Sequence, residues 1–141
     1  MLYNKETILQ LIPQRNPIIM VHDLVDAEGD ICHTTLSVEP DNFFMEDDGR
    51  MSEAGLIEHI AQSASAFAGY RCAIKNEPAP VGYIGEVKNF HCYARPSAGS
   101  ILETEINFGA EVNGITIMSG STKCNGELIA DTKMKIFVTQ E

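Results

Sequence analysis

The sequence is short of basic charge, of long apolar runs and of paired cysteines, and each shortage excludes something. Ten Lys and Arg stand against twenty Asp and Glu, a formal charge of −10, and such a surface repels both nucleic-acid phosphates and an anionic membrane. No apolar run approaches the length of a membrane span, and the opening MLYNKETILQ lacks a secretory signal pattern. The expectation is a cytoplasmic protein with no nucleic-acid and no membrane partner. Cys32, Cys72, Cys92 and Cys124 are widely spaced, with no Cys-x-x-Cys pair, so neither a disulfide framework nor a metal site is signalled. Four reduced, mostly buried thiols are expected. No repeat, linker or low-complexity stretch divides the chain. With 44% hydrophobic residues it reads as one domain over residues 1–141, large enough for a real core.

What the sequence does have is one long, thin, apolar helix. From residue 51 to residue 77, Leu56, Ile57, Ile60, Ala61, Ala64, Phe67, Ala68 and Cys72 cover well over half of the circumference, and Ala61, Ser63, Ala64, Ser65, Ala66, Ala68 and Gly69 keep it slim. A helix of this kind lies deep against a curved sheet. Ser52 is its N-cap, Glu53 favours the positive end of the macrodipole, and Arg71 and Lys75 favour the other end. Pro78 and Pro80 forbid continuation. Glu58 and Gln62 break the apolar pattern four residues apart, on one face. A buried acid costs free energy unless it is paired or put to work.

Around this helix the other elements are short. Residues 4–12 read as a short amphipathic helix ended by Pro13. Residues 18–27 and 31–38 are β-rich and flank Glu28-Gly29-Asp30, a hairpin. The acidic, irregular stretch 39–50 carries Phe43 and Phe44 as anchors and leads into the helix, where a site would sit. After the helix, 81–94 is a strand whose alternation slips at Gly85, as at a bulge. Pro96-Ser97-Ala98-Gly99 is a turn. Leu102, Thr104, Ile106 and Phe108 then alternate with Glu103, Glu105 and Asn107 in a half-buried strand. Asn113-Gly114 and Asn125-Gly126 are hairpin signals bracketing a strand at 115–124, with a last strand at 128–138. The expected architecture is α+β: a hairpin, the helix, then an antiparallel meander of four strands curled round the helix in a hot-dog fold.

Three segments in the right order carry a resemblance to a family. GLIEHIAQSASAFAG resembles the central helix of the β-hydroxyacyl-acyl-carrier-protein dehydratases, with their Glu-x-x-Ala-Gln pattern at Glu58, Ala61 and Gln62. GYIGEVKNFHCYARPSAGSILETEI resembles the strands that follow it, matching at Lys88, Phe90, Pro96, Gly99 and Leu102. LIPQRNPIIMVHDLVD resembles the family's Leu-Pro-His-Arg-x-Pro stretch. One departure stands out. The family carries Gly-His-Phe-Pro after a Phe-Phe pair, and its His is the general base. Here Phe43-Phe44 is followed by Met45-Glu46-Asp47-Asp48-Gly49, with no His between residues 34 and 58 and a shorter loop. Glu53 also stands where the family has a Gly whose N–H polarises the thioester carbonyl, although a backbone N–H survives that change. This loop is similar to that of the divergent dehydratase-like hot-dog proteins of aryl-polyene and flexirubin pigment clusters.

The resemblance implies removal of water from a β-hydroxyacyl thioester on an acyl carrier protein, in fatty acid or polyene biosynthesis, at a site between two subunits. That reaction needs a base, an acid for the departing hydroxyl, and donors for the thioester oxygen. No cofactor is expected. Glu58, oriented by Gln62, is the candidate acid; the plain alternative is an acid bonded to backbone donors or facing a partner. Glu46, Asp47 or Asp48 could replace the missing base, against an ordinary solvated loop. His59, which projects about 100° from Glu58, and a partner subunit are the other sources of a base; His22, His33 and His91 read as structural or surface residues. Gly55 would let substrate approach the helix N-terminus, or simply allow close packing. Phe43, Phe44, Tyr83 and Phe90 would line an acyl tunnel, or belong to the core. Arg71, Lys75, Lys88 and Arg95, if clustered, would receive a carrier protein; scattered solubilising charge is the rival. The chain is therefore expected to act as a dehydratase or as a non-catalytic partner of one, in a homodimer or a hetero-oligomer with a dehydratase homologue. The competing class is a hot-dog thioesterase using Glu58 on water or the thioester.

Overall fold

The order in which the strands pair is what places the candidate site. The computed structural model describes residues 1–78 and 81–139, with backbone alone for 81–85, 138 and 139. A 3-10 turn at Thr7–Gln10 precedes strands β1 (Asp23–Glu28) and β2 (Ile31–Ser37), helix α1 (Glu53–Ala73), and strands β3 (Val81–Cys92), β4 (Ile101–Val112), β5 (Ile115–Cys124) and β6 (Glu127–Thr139). They form one antiparallel sheet in the order β1-β2-β4-β5-β6-β3. The sheet curls round α1, the hot-dog arrangement.

Four local expectations are corrected. Only β4, β5 and β6 make the meander; β3 pairs with β6 at the far edge, while β4 pairs with β2. Eight residues, Tyr93 to Ser100, separate β3 from β4, enough to cross the open end of the sheet instead of turning back as a hairpin. The β-rich stretch 18–22 is not strand. Its backbone groups at Ile18 and Met20 bond to Gln62 and His59 of the helix, so β1 begins only at Asp23. The expected N-terminal helix shrinks to a 3-10 turn started by Asn4, whose side chain accepts from the N–H groups of Glu6 (2.9 Å) and Thr7 (3.0 Å). Finally, α1 is shorter than 51–77. Ser52 caps it by accepting from Gly55 N–H. At the other end Asn76 takes a left-handed φ of 55°, with Glu77 N–H on Cys72 O and Asn76 N–H on Ala73 O. That is the hydrogen-bond pair of a Schellman ending.

Both Asn-Gly hairpins form as expected, with positive φ at Asn113, Gly114, Asn125 and Gly126, and a register shift in β3 falls at Gly85. A second shift follows between Lys88 and His91, where the Thr132 hydroxyl donates to Lys88 O. On β4, Leu102, Thr104, Ile106 and Phe108 are buried and their neighbours exposed. Two apolar clusters fill the sheet. One gathers Ile60, Phe67, Ile106, Phe108 and Met118 with the N-terminal Ile8 and Leu11. The other gathers Met20, Leu36, Met51, Leu56 and Leu102, with Phe44 and Phe90 packed against it.

The helix is wrapped on two sides. Its sheet side presents Phe67, stacked on Phe108 at 4.7 Å between ring centroids, and Ile60, beneath Gly120, where a Cβ would come within 2.6 Å of Ile60 Cγ2. On another side Gly55, Gln62 and Gly69 recur seven residues apart, which puts them in one line along the axis. Irregular chain crosses the helix at each: Phe44 and Met51 at Gly55, Ile18 and Met20 at Gln62, and Leu11 at Gly69. A Cβ on Gly69 would collide with the Leu11 carbonyl. Gly69→Ala must push backbone aside, and should cost about 1–3 kcal/mol of unfolding free energy, read from denaturant midpoints; an unchanged midpoint would contradict this crossing.

Candidate functional site

The polar line on α1 carries the Glu58 carboxylate. Glu58 is half-buried, one turn beyond Gly55, and its Oε1 accepts from Gln62 Nε2 at 2.8 Å. The same amide nitrogen donates to Ile18 O (2.7 Å), and Gln62 Oε1 accepts from Met20 N–H (2.6 Å). Gln62 is fully buried and spends every polar atom it has, so it fixes one oxygen of Glu58 and leaves the other outside the network. Ser52 occupies the Gly55 N–H from both its hydroxyl and its carbonyl oxygen. Among the described residues the N–H groups of Glu53 and Ala54 have no acceptor, and they stand at the positive end of the helix.

Among the described residues none of the four histidines hydrogen-bonds Glu58. His59 is completely buried; its Nδ1 lies 2.6 Å from Met20 O and its Nε2 2.7 Å from the Thr104 hydroxyl. Burial drives its pKa down to about 4, so the ring is neutral. His22 Nδ1 accepts from Ser37 N–H, and burial, then Lys5, holds its pKa below the ordinary value. His33 bridges Asp26 (2.7 Å) and Glu105 (3.0 Å) on the outer face, and the bond to Asp26 is the main reason its pKa is raised. His91 pairs with Asp131 at 2.9 Å.

The acidic loop between Met45 and Met51 is a closed hairpin. Met45 bridges Met51, Glu46 N–H donates to Arg50 O, and Gly49, at φ 78°, donates to Glu46 O. The hairpin docks on the crossing between β3 and β4 through Met51 N–H on Pro96 O (2.8 Å). Arg95 then reaches Glu46 at 3.5 Å and Asp48 still more closely. The Arg95 bond holds the Asp48 carboxyl below its ordinary range, which makes it a weaker base.

The other sequence candidates fall as follows. Gly55 is held by packing: a Cβ would lie 2.6 Å from both Phe44 Cβ and Met51 Cγ. Phe44 is half-buried and edge-on to Phe43, which is 60% exposed. Phe90 packs on the second core cluster. Tyr83 has its backbone in β3, and its side chain lies outside the described residues. The four cations occupy three places. Arg71 lies over Phe67 and Phe108 and pairs with Asp30, sharing a cavity of about 540 Å³ with Lys75; Lys88 meets Glu86; Arg95 clamps the acidic loop. Sequence reasoning missed the threonines beneath the sheet. Thr104 and Thr122 occupy inward positions of β4 and β5, their hydroxyls 2.7 Å apart, and Thr34 meets Ser63 at 2.8 Å. A hydroxyl at an inward strand position was the available signal. All four cysteines are free, two buried and two half-buried, and no described helix is long and apolar enough to cross a membrane.

A sheet curled round a helix that carries one held carboxylate defines the class of hot-dog proteins to which dehydratases and thioesterases belong. The profile of the ApeP-like family, described as ApeP dehydratase, matches residues 6–141, and the chain belongs to that family. Among solved structures it is similar to the dehydratase heterocomplex ApeI:P from Xenorhabdus doucetiae, with a TM-score of 0.87 and 16% identity over 95% of this chain and 91% of that one. It is also similar to Cj0977, a sigma28-regulated virulence protein of Campylobacter jejuni (TM-score 0.73, 14% identity, 95% and 96% covered). A hypothetical thioesterase of Streptococcus pneumoniae TIGR4, solved with coenzyme A, follows at TM-score 0.67 and 12% identity, with 84% and 86% covered. At these identities the likeness is one of fold. No curated relative matches the sequence.

Proposed function

We propose that this chain is the carboxylate-bearing half of a hetero-oligomeric dehydratase for β-hydroxyacyl groups held as thioesters on an acyl carrier protein, in fatty acid or polyene biosynthesis. The observation that carries the reading is a helix carboxylate held by Gln62 while none of the four histidines hydrogen-bonds it among the described residues. The base then comes from a homologous partner. It removes the α-proton, Glu58 gives a proton to the β-hydroxyl, and water and the enoyl thioester leave; the base returns its proton to Glu58. The N–H groups of Glu53 and Ala54 face the developing charge on the thioester oxygen. Membership of the ApeP-like family and the likeness to a heterocomplex support the partnership.

The partner has an edge to join. At β1 the outer edge is partly covered by the Tyr3–Leu24 bridge, whereas β3 has β6 as its only strand neighbour among the described residues. A long unpaired edge invites another strand. Light scattering should find a dimer or a higher even oligomer at micromolar concentration; a monomer mass would contradict it.

The deciding experiment assays the pure chain, an active homologue, and the two mixed. The pure chain should dehydrate slowly, and the mixture should exceed the homologue alone. Turnover by the pure chain at an ordinary enzymatic rate, about 1 to 1,000 per second, would overturn the proposal. Release of free thiol without an enoyl product would select the thioesterase reading, which the fold shared with the hypothetical thioesterase keeps as the rival.

A further inference from the structure

Both backbone polar groups of Met20 are held by the helix, and the two holds converge on Glu58. We propose that His59 is a positioning residue for Glu58, acting through Met20 and Gln62. The inference rests on the reading of Glu58 as the acting carboxylate.

The direction of every hydrogen bond in the network follows from the atoms that can only give or only receive. Met20 O is an acceptor, so His59 Nδ1 carries the hydrogen across their 2.6 Å. The buried ring is neutral, so Nε2 accepts from the Thr104 hydroxyl at 2.7 Å. That hydroxyl has spent its only hydrogen and must accept from Thr122 at 2.7 Å. On the other side Met20 N–H is a donor, so Gln62 turns Oε1 toward it at 2.6 Å. The amide NH2 is thereby turned to Ile18 O and to Glu58 Oε1.

Residues 18–20 lie outside β1, and no sheet ladder holds them there. If His59 released Met20 O, the Met20 N–H would no longer be fixed against Gln62. Ile18 O accepts from the same Gln62 nitrogen and keeps the NH2 on that side, but the Ile18–Met20 segment that carries both backbone partners of Gln62 could then shift and draw the amide off Glu58. His59 pins that segment to the helix while pointing away from the site itself. Its second anchor, the Thr104–Thr122 pair, lies beneath β4 and β5, so the orientation of Glu58 is referred to the rigid middle of the sheet.

The test uses the assembled dehydratase and compares His59→Leu with His59→Asn, whose Nδ2 keeps a donor near the place of Nδ1. His59→Leu should lower kcat at least tenfold with KM within twofold, and should speed solvent exchange of the Gln62 side-chain NH2, followed by NMR, at least tenfold. His59→Asn should restore both to within threefold of the parent. If His59→Leu fails to fold, Thr104→Val takes its place, with an expected threefold or greater loss in kcat. A His59→Leu protein that melts earlier but keeps its kcat and its Gln62 exchange rate overturns the proposal, as does an Asn variant no better than Leu. Glu58→Gln in the same assay separates the two claims. Full turnover there overturns the reading of the site, whereas a dead Glu58→Gln beside an unaffected His59→Leu overturns only the role of His59.

Discussion

Glu58→Gln in the assembled dehydratase should cut kcat at least about a hundredfold, the loss expected when an acid–base group is removed, with little change in melting temperature. The substitution is close to isosteric and keeps an oxygen to accept from Gln62 Nε2, so the network survives while the proton is lost. The partner's own homomeric turnover, measured separately, is subtracted. A drop in stability larger than the drop in activity would make Glu58 a structural acid. The companion experiment places His in the acidic loop. Glu46→His should leave the isolated chain as slow as before, because position 46 sits in a hairpin closed by the Met45–Met51 bridge and turned toward Arg95. An imidazole there stands beside the Arg95 guanidinium, which disfavours its taking up a proton. Rapid dehydration by Glu46→His alone would mean that the loop reaches the site.

The sequence made the helix legible because its message is local. Ser52, the apolar circumference and the closing prolines each act within a few residues, and Asn76 ended the helix by the same short-range chemistry. The hairpins were legible for the same reason: Asn-Gly needs only its own backbone conformation. Strand order was not. Nothing within 93–100 says that β3 must travel to the far edge; that follows from β4 finding β2 and from the crossing docking on Met51 and Val38 through Pro96 O and Gly99 N–H.

The candidate site was half legible on the same grounds. Glu58 and Gln62 meet because four residues on a helix make a neighbour. What holds Gln62 comes from residue 20, and what holds His59 comes from residue 104, contacts separated by 42 and 45 positions. The reading of 18–22 as strand missed the helix partners of that backbone, Gln62 and His59. A β-rich stretch was assigned to the sheet when its backbone was needed by the helix. The cations were legible only as charge: sequence does not show the acids that meet them, and Arg95 pairs with Glu46 and Asp48 of the acidic loop.

The acid stability of the protein should carry the mark of His59. Its folded-state pKa of about 4 lies below the ordinary 6.5, so between those values the unfolded chain binds a proton that the folded chain refuses. Unfolding free energy therefore rises with pH across that window: the contribution is complete above 6.5 and is lost as pH falls toward 4. From pH 7 to pH 5 one such site costs about 2 kcal/mol of stability. His22, also held below its ordinary value, adds in the same sense. His33, raised by Asp26 and then by Glu105, acts in the opposite sense; its contribution is present at low pH and fades as pH rises, and its exposure keeps it small. Both remain in a His59→Asn variant, which has nothing to titrate at position 59. Denaturant midpoints at pH 7, 6 and 5 should thus fall more steeply in the parent than in His59→Asn, by about 2 kcal/mol over the range. Parallel slopes would mean that the ring takes up its proton while folded. Nε2 would then have to become a donor, and the Thr104 hydroxyl would have to reverse both of its hydrogen bonds inside a closed core.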